Sequence, residues 1–180
     1  GDIYAIADGT PVFPNEPLIT IKAPIIEAQI VETAILSMIN GAMEHATSAR
    51  RIIESTNGKV GVMEFGARRA DGSEAAIDSS IYGIMAGCIG TSNIIAADML
   101  NIKAMGTMAH SFIESFPNEY EAFLAYAKAY PDNCILLVDT VDTLKSGVIN
   151  AIRVFRYMKE NNMPLDHIGI RIDSGDLAYL

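Results

Sequence analysis

Four short polar clusters in this sequence carry the residue types that could do chemistry. They read EFGARR at residues 64–69, GTMAHS at 106–111, DTVDT at 139–143 and RIDSGD at 171–176. Arginines can bind phosphate or carboxylate through paired hydrogen bonds, and carboxylates can hold Mg²⁺ or stabilise positive charge on a sugar ring. A histidine can accept a phosphoryl group as a covalent nucleophile. Together the clusters suit a substrate that bears phosphates, a metal and a small anion.

Each cluster also has an ordinary structural interpretation when it is taken alone. The arginine pair at 68–69 could be solvated, and His110 could be a hydrogen-bonded core or loop histidine. Asp139 and Asp142 could be N-caps, because aspartate is common where a strand turns into a helix. Residues 173–176 could likewise form only a capping turn. The functional interpretation therefore depends on the combination of the clusters.

The first third of the chain predicts two strands and a long helix. Residues 2–23 alternate short apolar runs with Pro and Gly turn formers, which is typical of a strand–turn–strand unit. From Ile25 to about Ser55 apolar residues recur at helical spacing, with Gly41 as a candidate break. The pair at 57–58, Asn-Gly, should end this helix.

From residue 60 onward the pattern alternates between strands and helices. Strands are predicted at 60–65, 102–105, 134–138 and 168–172, and helices at 73–87, 92–100, 118–130 and 143–161. Thr91 or Ser92 is a candidate N-cap of the second helix in this list, and Asn118 of the third. This alternation predicts an α/β fold class with a parallel sheet or barrel. There are too few strands to close an eight-stranded barrel, so we expect half of one.

All four polar clusters follow predicted strands. Because ligands bind at the carboxyl ends of the strands in parallel α/β folds, we expect the clusters to share one rim. The motifs GxxxxGK[ST], GxGxxG and HExxH are absent, so the sequence lacks the usual signatures of nucleotide, dinucleotide and zinc-protease sites.

Composition narrows the class of protein further. Half of the residues are hydrophobic and 19% are charged, which supports a packed core. The net charge of -9 argues against a nucleic-acid or anionic-membrane partner, and no unbroken apolar run reaches about 18 residues.

Cys88 and Cys134 lie far apart in apolar contexts, which favours reduced core thiols in a cytosolic protein. The chain lacks an initial Met and stops after a charged motif, so we interpret it as an internal fragment.

The clusters, taken in order, resemble the signature of the nicotinate phosphoribosyltransferase family. Besides the four clusters, the matching segments read FPNEP at 13–17 and GTSN at 90–93, and the match at the fourth cluster extends to GIRIDSGD at 169–176. The resemblance spans nearly all 180 residues. It implies part of an α/β sandwich domain with the long helix at 1–58, and the first part of an irregular, TIM-like α/β barrel at 59–180.

The resemblance also implies an activity. Members of the family join nicotinate to phosphoribosyl pyrophosphate in NAD biosynthesis, with Mg²⁺ and with ATP consumed through a phosphohistidine. A cytoplasmic homodimer is implied. His110 matches the phosphorylated histidine, and Asp139 and Asp173 match carboxylates near the ribose and metal. Thr107 and Arg171 match positions that contact nicotinate, with Arg171 pairing with its carboxylate.

Three further substrate contacts are implied in the first part of the chain. Phe65 matches the aromatic residue that stacks on the pyridine ring, and Arg68 matches an arginine on the phosphate side. Ser92 stands where nicotinamide-using relatives carry an aspartate. An aspartate there would repel the carboxylate of nicotinate, so Ser92 favours the acid as substrate.

Three departures from the family pattern leave alternatives open. Ser48, Ile81 and Val141 stand where a lysine, an arginine and a tyrosine are expected. A divergent paralogue, a nicotinamide or quinolinate phosphoribosyltransferase, and a non-catalytic half-barrel are the alternatives. His110 speaks against the quinolinate enzymes, which lack this histidine and need no ATP.

Overall fold

The computed structural model describes residues 1–180, which form two compact units, Gly1–Gly106 and Thr107–Leu180. Each unit mixes helices with short strands, as the predicted α/β class requires. The strands form three two-stranded sheets, of which the first is antiparallel and the other two are parallel.

The first unit opens with the predicted strand–turn–strand. Strand β1, Asp2–Ala5, pairs antiparallel with β2, Ile19–Lys22. Helix α1 then runs unbroken over Ile25–Ser55, so the candidate break at Gly41 is not used. The helix ends where Asn57 and Gly58 adopt positive φ angles of 50° and 69°, a conformation that Asn and Gly tolerate best.

Helix α1 contains no buried residue. It is long and apolar enough to cross a membrane by length and composition alone, with a mean hydropathy of 1.2 over its most apolar window. Glu27 and Glu32 interrupt its apolar residues, so the helix contains no unbroken apolar run of about 18 residues. The absence of a membrane partner stays a prediction.

A parallel strand pair lies in the second half of this unit. Strand β3, Met63–Glu64, pairs with β4, Gly90–Thr91, and helix α2, Ser73–Met85, connects them. The strand predicted at 102–105 is wrong, because the pairing strand is β4. Residues 102–105 lie beside β4 through the bond from the Met105 amide to the Thr91 carbonyl, 2.9 Å, without forming a strand.

Helix α3, Ile94–Met99, is capped by Asn93, whose Oδ1 accepts from the Ala96 amide at 3.2 Å. The predicted caps, Thr91 and Ser92, are therefore wrong. The hydroxyl of Thr91 accepts from the Asn93 amide and donates to a carboxylate elsewhere, so it cannot serve the helix.

The first unit extends past the predicted division at residue 58. Helix α1 packs against α2, and Arg50 Nη1 donates to the Ala86 carbonyl at 3.4 Å. These contacts place the segments on either side of residue 58 in the same unit. The division into 1–58 and 59–180 concerns the domains of the family, and it stays a prediction.

The second unit is built on a parallel pair between β5, Cys134–Leu137, and β6, Ile168–Arg171. Helix α5, Glu119–Ala129, precedes this pair, and Asn118 caps it as predicted, its Oδ1 accepting from the Glu121 amide. A short helix that was not predicted, α4, spans His110–Glu114. The core of the unit includes Phe123, Leu136, Leu137, Val138, Val154 and Met158, each fully buried.

The connection from β5 to the last helix contains a close backbone approach. It begins with a π-helical turn, Thr143–Gly147, and continues as α6, Val148–Glu160. Asp142 caps the turn by accepting from the Lys145 amide at 2.8 Å, so the structural interpretation of this aspartate is confirmed. A Cβ atom on Gly147 would lie 1.9 Å from the Val138 carbonyl oxygen, so only glycine fits there.

Both cysteines are buried and free, which confirms the prediction of core thiols. Cys134 is fully buried in the core of the second unit, and this burial raises its pKa to about 11. Burial, with the negative charge of Glu64, also raises the pKa of Cys88. Such thiols are poor nucleophiles at neutral pH.

Candidate active site

The carboxyl ends of β5 and β6 bring together five of the residues predicted to act in chemistry. Strand β5 leads into Asp139, and β6 ends at Arg171, which is followed by Asp173. The ladder continues one step further, because the Val138 amide donates to the Arg171 carbonyl at 3.0 Å. The parallel pairing therefore places these side chains at the same end of the sheet.

Asp139 is the centre of this group. Its Oδ1 lies 3.2 Å from Nε2 of His110, and its Oδ2 accepts from the Asp173 amide at 2.9 Å and from the Ser174 hydroxyl at 2.6 Å. The Asp139 side chain is only 2% exposed, whereas that of His110 is 37% exposed. A buried carboxylate thus holds one nitrogen of a histidine that solvent and ligands can reach.

This contact determines which nitrogen of His110 is free. When Nε2 carries the proton and donates to Asp139, Nδ1 keeps its lone pair and has no partner in the structure. A carboxylate in this position also fixes the orientation of the ring, as it does for histidines that bind metals. His110 is therefore oriented to act as a nucleophile or base through Nδ1.

Hydrogen bonds favour the ionised form of Asp139. Burial alone raises its pKa, but the bonds from Ser174, from the Asp173 amide and from His110 outweigh burial, so the pKa lies below 3.8, its ordinary value. A lowered pKa means that ionised Asp139 stabilises the folded protein. This contribution is complete above the ordinary pKa and is lost as the pH falls through the lowered one.

We therefore expect Asp139→Asn to destabilise the full-length protein in a pH-dependent manner. At about pH 6 the loss of charged hydrogen bonds should cost about 1.5–3 kcal/mol in the free energy of unfolding. The difference from the unsubstituted protein should shrink as the pH falls below 3.8 and through the lowered pKa of Asp139, where this carboxyl becomes protonated. Thermal unfolding across this range measures it, with the exposed Asp166→Asn as the control. A difference that does not vary with pH would contradict the assignment.

Arg171 is held from two sides. Its Nη1 donates to the Thr107 hydroxyl at 2.9 Å, and its Nη2 donates to Asp173 Oδ1 at 2.5 Å. The side chain remains 27% exposed. Because a guanidinium has five N–H donors, these two bonds and a longer one from Nη1 to the Met108 carbonyl, 3.5 Å, still leave donors for a ligand carboxylate or phosphate. Thr107 and Asp173 thus orient a cation that a small anion can reach.

The remaining three predicted residues belong to the first unit, around the carboxyl ends of β3 and β4. Phe65 directly follows β3, and Arg68 lies in a 3₁₀ turn, Ala67–Arg69. Ser92 directly follows β4, and its amide donates to the Glu64 carbonyl at 3.2 Å. The structure thus gathers the predicted residues into two groups, one in each unit. The single rim expected for all of them stays a prediction.

Two polar residues in these groups received no role from the sequence. Ser174 donates to Asp139, and Glu64 accepts hydrogen bonds from Gly66, from Ser80 of α2 and from Thr91 of β4. Both lie inside polar clusters that were singled out. Apart from Gly66, their partners are 16 to 35 residues away along the chain, so spacing could not reveal the contacts.

The two carboxylates beside β5 and β6 do not fit a dedicated protein site for the Mg²⁺ that the resemblance implies. No three His, Cys, Asp or Glu side chains lie close enough together to share a cation. Both oxygens of Asp139 are occupied by hydrogen bonds, and Asp173 Oδ1 pairs with Arg171. Mg²⁺ is commonly held by substrate phosphates with only one or two carboxylates, which this arrangement could supply through Asp173.

Comparison with known proteins identifies the same family that the sequence motifs resemble. The sequence model of the nicotinate phosphoribosyltransferase (NAPRTase) family matches residues 60–179. The chain is 44% identical to a nicotinate phosphoribosyltransferase of Bacillus subtilis over 177 residues, which are 98% of this chain and 35% of that protein. It is also 44% identical to one of Mycobacterium tuberculosis, covering 100% of this chain and 38% of that protein. The chain thus spans little more than a third of these relatives.

Solved structures agree on the fold. The crystal structure of human nicotinic acid phosphoribosyltransferase matches with a TM-score of 0.83 and 27% identity, covering 97% of this chain and 44% of that one. A nicotinate-nucleotide pyrophosphorylase from Pyrococcus furiosus matches with a TM-score of 0.80 and 27% identity, covering 96% and 42%.

Proposed function

Because this chain belongs to the nicotinate phosphoribosyltransferase family, we propose that the full-length protein makes nicotinate mononucleotide and pyrophosphate from nicotinate and phosphoribosyl pyrophosphate. One observation carries the proposal: the ends of β5 and β6 hold a reachable histidine on a buried carboxylate beside an arginine with free donors. The histidine, the carboxylate and the arginine suit a reaction whose substrates carry a small carboxylate and phosphate groups.

Arg171 and Asp173 have different roles in the transfer of the phosphoribosyl group. The remaining guanidinium donors of Arg171, oriented by Thr107, bind the carboxylate of nicotinate. The pyridine nitrogen then forms a bond to C1 of the ribose, and the bond from C1 to the pyrophosphate oxygen breaks. Asp173, which is 36% exposed, stabilises the positive charge that develops on the sugar ring.

His110 couples the reaction to ATP. Its Nδ1 attacks the γ-phosphorus of ATP, the bond to the β-γ bridging oxygen breaks, and ADP leaves. Asp139 supports this step by holding Nε2–H, which stabilises the positive charge on the phosphorylated ring. Later hydrolysis of the phosphohistidine releases phosphate and restores the free imidazole.

The architecture and assembly of the whole protein are also proposals. The two parallel strand pairs, each followed by polar residues, support an irregular TIM-like barrel that further strands complete. The greater length of the relatives leaves room for those strands. A homodimer, a cytoplasmic location and the use of Mg²⁺ and ATP rest on the family resemblance.

Substrate choice tests the proposed function. The full-length protein should make mononucleotide from nicotinate in preference to nicotinamide or quinolinate, because Arg171 binds one carboxylate and Ser92 adds no charge. Arg171→Ala should raise the KM for nicotinate about 10- to 150-fold, the loss of about 1.5–3 kcal/mol for a charged hydrogen bond. Initial rates with each base measure both effects.

The control for this substitution is Arg156→Ala, which removes an exposed arginine of α6. It should leave the KM for nicotinate unchanged. Equal use of nicotinate and nicotinamide, or a preference for quinolinate, would reject the proposed substrate. No product from any of the three bases would favour the non-catalytic alternative.

A further inference from the structure

The side chain of Glu64 joins four parts of the first unit. Its Oε1 accepts from the Gly66 amide at 2.5 Å. Its Oε2 accepts from the Ser80 hydroxyl of α2 and from the Thr91 hydroxyl of β4, each at 2.7 Å. All three partners donate, which matches a carboxylate because it only accepts. Hydrogen bonds to a charged acceptor are among the stronger ones in proteins.

The hydroxyl of Thr91 is committed to this carboxylate. Thr91 Oγ1 accepts from the Asn93 amide at 3.0 Å, so its single proton is directed to Glu64. The hydroxyl of Ser80 also lies 2.8 Å from the Ala76 carbonyl, but the charged oxygen of Glu64 is the stronger acceptor.

Two glycines lie close to this side chain. A Cβ atom at position 83 of α2 would lie 3.1 Å from Glu64 Cγ, and a Cβ atom at position 66 would lie 2.9 Å from Glu64 Oε1. Both positions are glycine, namely Gly83 and Gly66. A side chain at either position would meet Glu64, so the two glycines leave the space that its side chain occupies.

Glu64 holds the start of both polar segments at this end of the sheet. Through the Gly66 amide, its carboxylate fixes the turn that leads from Phe65 into the 3₁₀ turn with Arg68. Through Thr91 it fixes the end of β4, directly before Ser92. The backbone carbonyl of Glu64 adds a bond from the Ser92 amide at 3.2 Å.

We propose that Glu64 is a positioning residue for the substrate contacts of Phe65, Arg68 and Ser92. It touches no substrate itself. It sets the relative placement of the two segments that carry a ring-stacking residue, a phosphate-binding arginine and the residue facing the substituent of the pyridine ring. The inference rests on the proposed function, from which those three roles come.

The test is Glu64→Gln in the full-length protein. Glutamine keeps the size of the side chain but replaces one accepting oxygen with a donor, so at least one of the three donors loses its partner. We expect the KM values for nicotinate and phosphoribosyl pyrophosphate to rise about tenfold, while kcat changes less than about threefold. Glu74→Gln, an exposed glutamate in the first turn of α2, is the matched control and should change neither.

A second pair of variants keeps the test decisive if Glu64→Gln folds poorly. Thr91→Val removes the donor to Glu64 with little change of shape, and Thr91→Ser keeps it. Thr91→Val should show the same rise in KM, and Thr91→Ser should restore values within about twofold of the unsubstituted protein.

The outcomes separate this inference from the proposed function. A purely structural role would lower the melting temperature and the amount of active enzyme but leave both KM values unchanged, and that result would overturn the inference. Failure of the unsubstituted protein to make nicotinate mononucleotide would instead reject the proposed function.

Discussion

The full-length protein with His110→Ala should take up no phosphoryl group from ATP and should lose its stimulation by ATP. His110 is the reachable histidine of the candidate site, and the buried carboxylate of Asp139 orients it. Alanine removes the only nitrogen nucleophile of this pair. Synthesis of nicotinate mononucleotide without ATP can survive at a low rate, because Arg171 and Asp173 remain in place.

Labelled ATP measures this effect. The unsubstituted protein, incubated with ATP and Mg²⁺, should carry a phosphoryl group that is labile in acid and stable in base. His167→Ala, which removes an exposed histidine of the same unit, is the control and should label normally. Phosphorus NMR should place the group on Nδ1. A label that survives His110→Ala would move the phosphorylation site, and a label on Nε2 would contradict the role of Asp139.

The second large effect concerns a polypeptide of these 180 residues, which should be inactive and should self-associate. In it β6 pairs only with β5, although parallel strands usually have partners on both sides and cover on both faces. Helix α1 has no buried residue, and large apolar side chains such as Ile30 and Met38 are 72% and 76% exposed. Such apolar surface favours association with further copies.

Light scattering and an activity assay test this prediction together. The mass of the purified polypeptide should exceed the 19.4 kDa of a single chain, and nicotinate mononucleotide should stay below detection. The full-length protein, prepared in the same way, is the control for activity. A stable monomer, or measurable synthesis by the verified polypeptide, would contradict the prediction.

Elements with a long, regular apolar pattern could be predicted from the sequence. Helix α1 follows the helical spacing almost to the residue, and β5 is a wholly apolar run of four residues. Asn118 could be recognised as a cap because an Asn before an acidic, periodic segment has few other uses. In these cases no tertiary contact overrides the local preference, so the local sequence is sufficient to predict the element.

Short elements decided by tertiary contacts could not be predicted. Strand β4 has only two residues, which is too few to show an alternating pattern, and the segment at 102–105, in which three of four residues are apolar, looked more like a strand. Asn93, rather than Thr91, caps α3 because Glu64 has recruited the threonine hydroxyl from 27 residues away. Glu64 lies outside the local sequence around α3, so its contact with Thr91 could not be predicted from that sequence.

The candidate site, like the fold, could be predicted only in part from the sequence. Residue types and strand ends indicated which side chains gather, and the structure does bring His110, Asp139 and Arg171 to the end of one strand pair. The sequence could not show that Asp139 serves His110 whereas Asp142, three residues later, serves only a helix turn. That distinction depends on which aspartate the strand directs inward, and it follows from the backbone.

Substitutions of Gly147 should impair this protein as strongly as substitutions of its candidate catalytic residues. Any side chain there would displace the carbonyl of Val138, and with it the backbone that leads directly into Asp139. A survey of random variants scored only by growth or activity would rank position 147 with the catalytic positions. An observer without coordinates would then assign chemistry to a residue whose whole contribution is to leave space for a neighbouring strand.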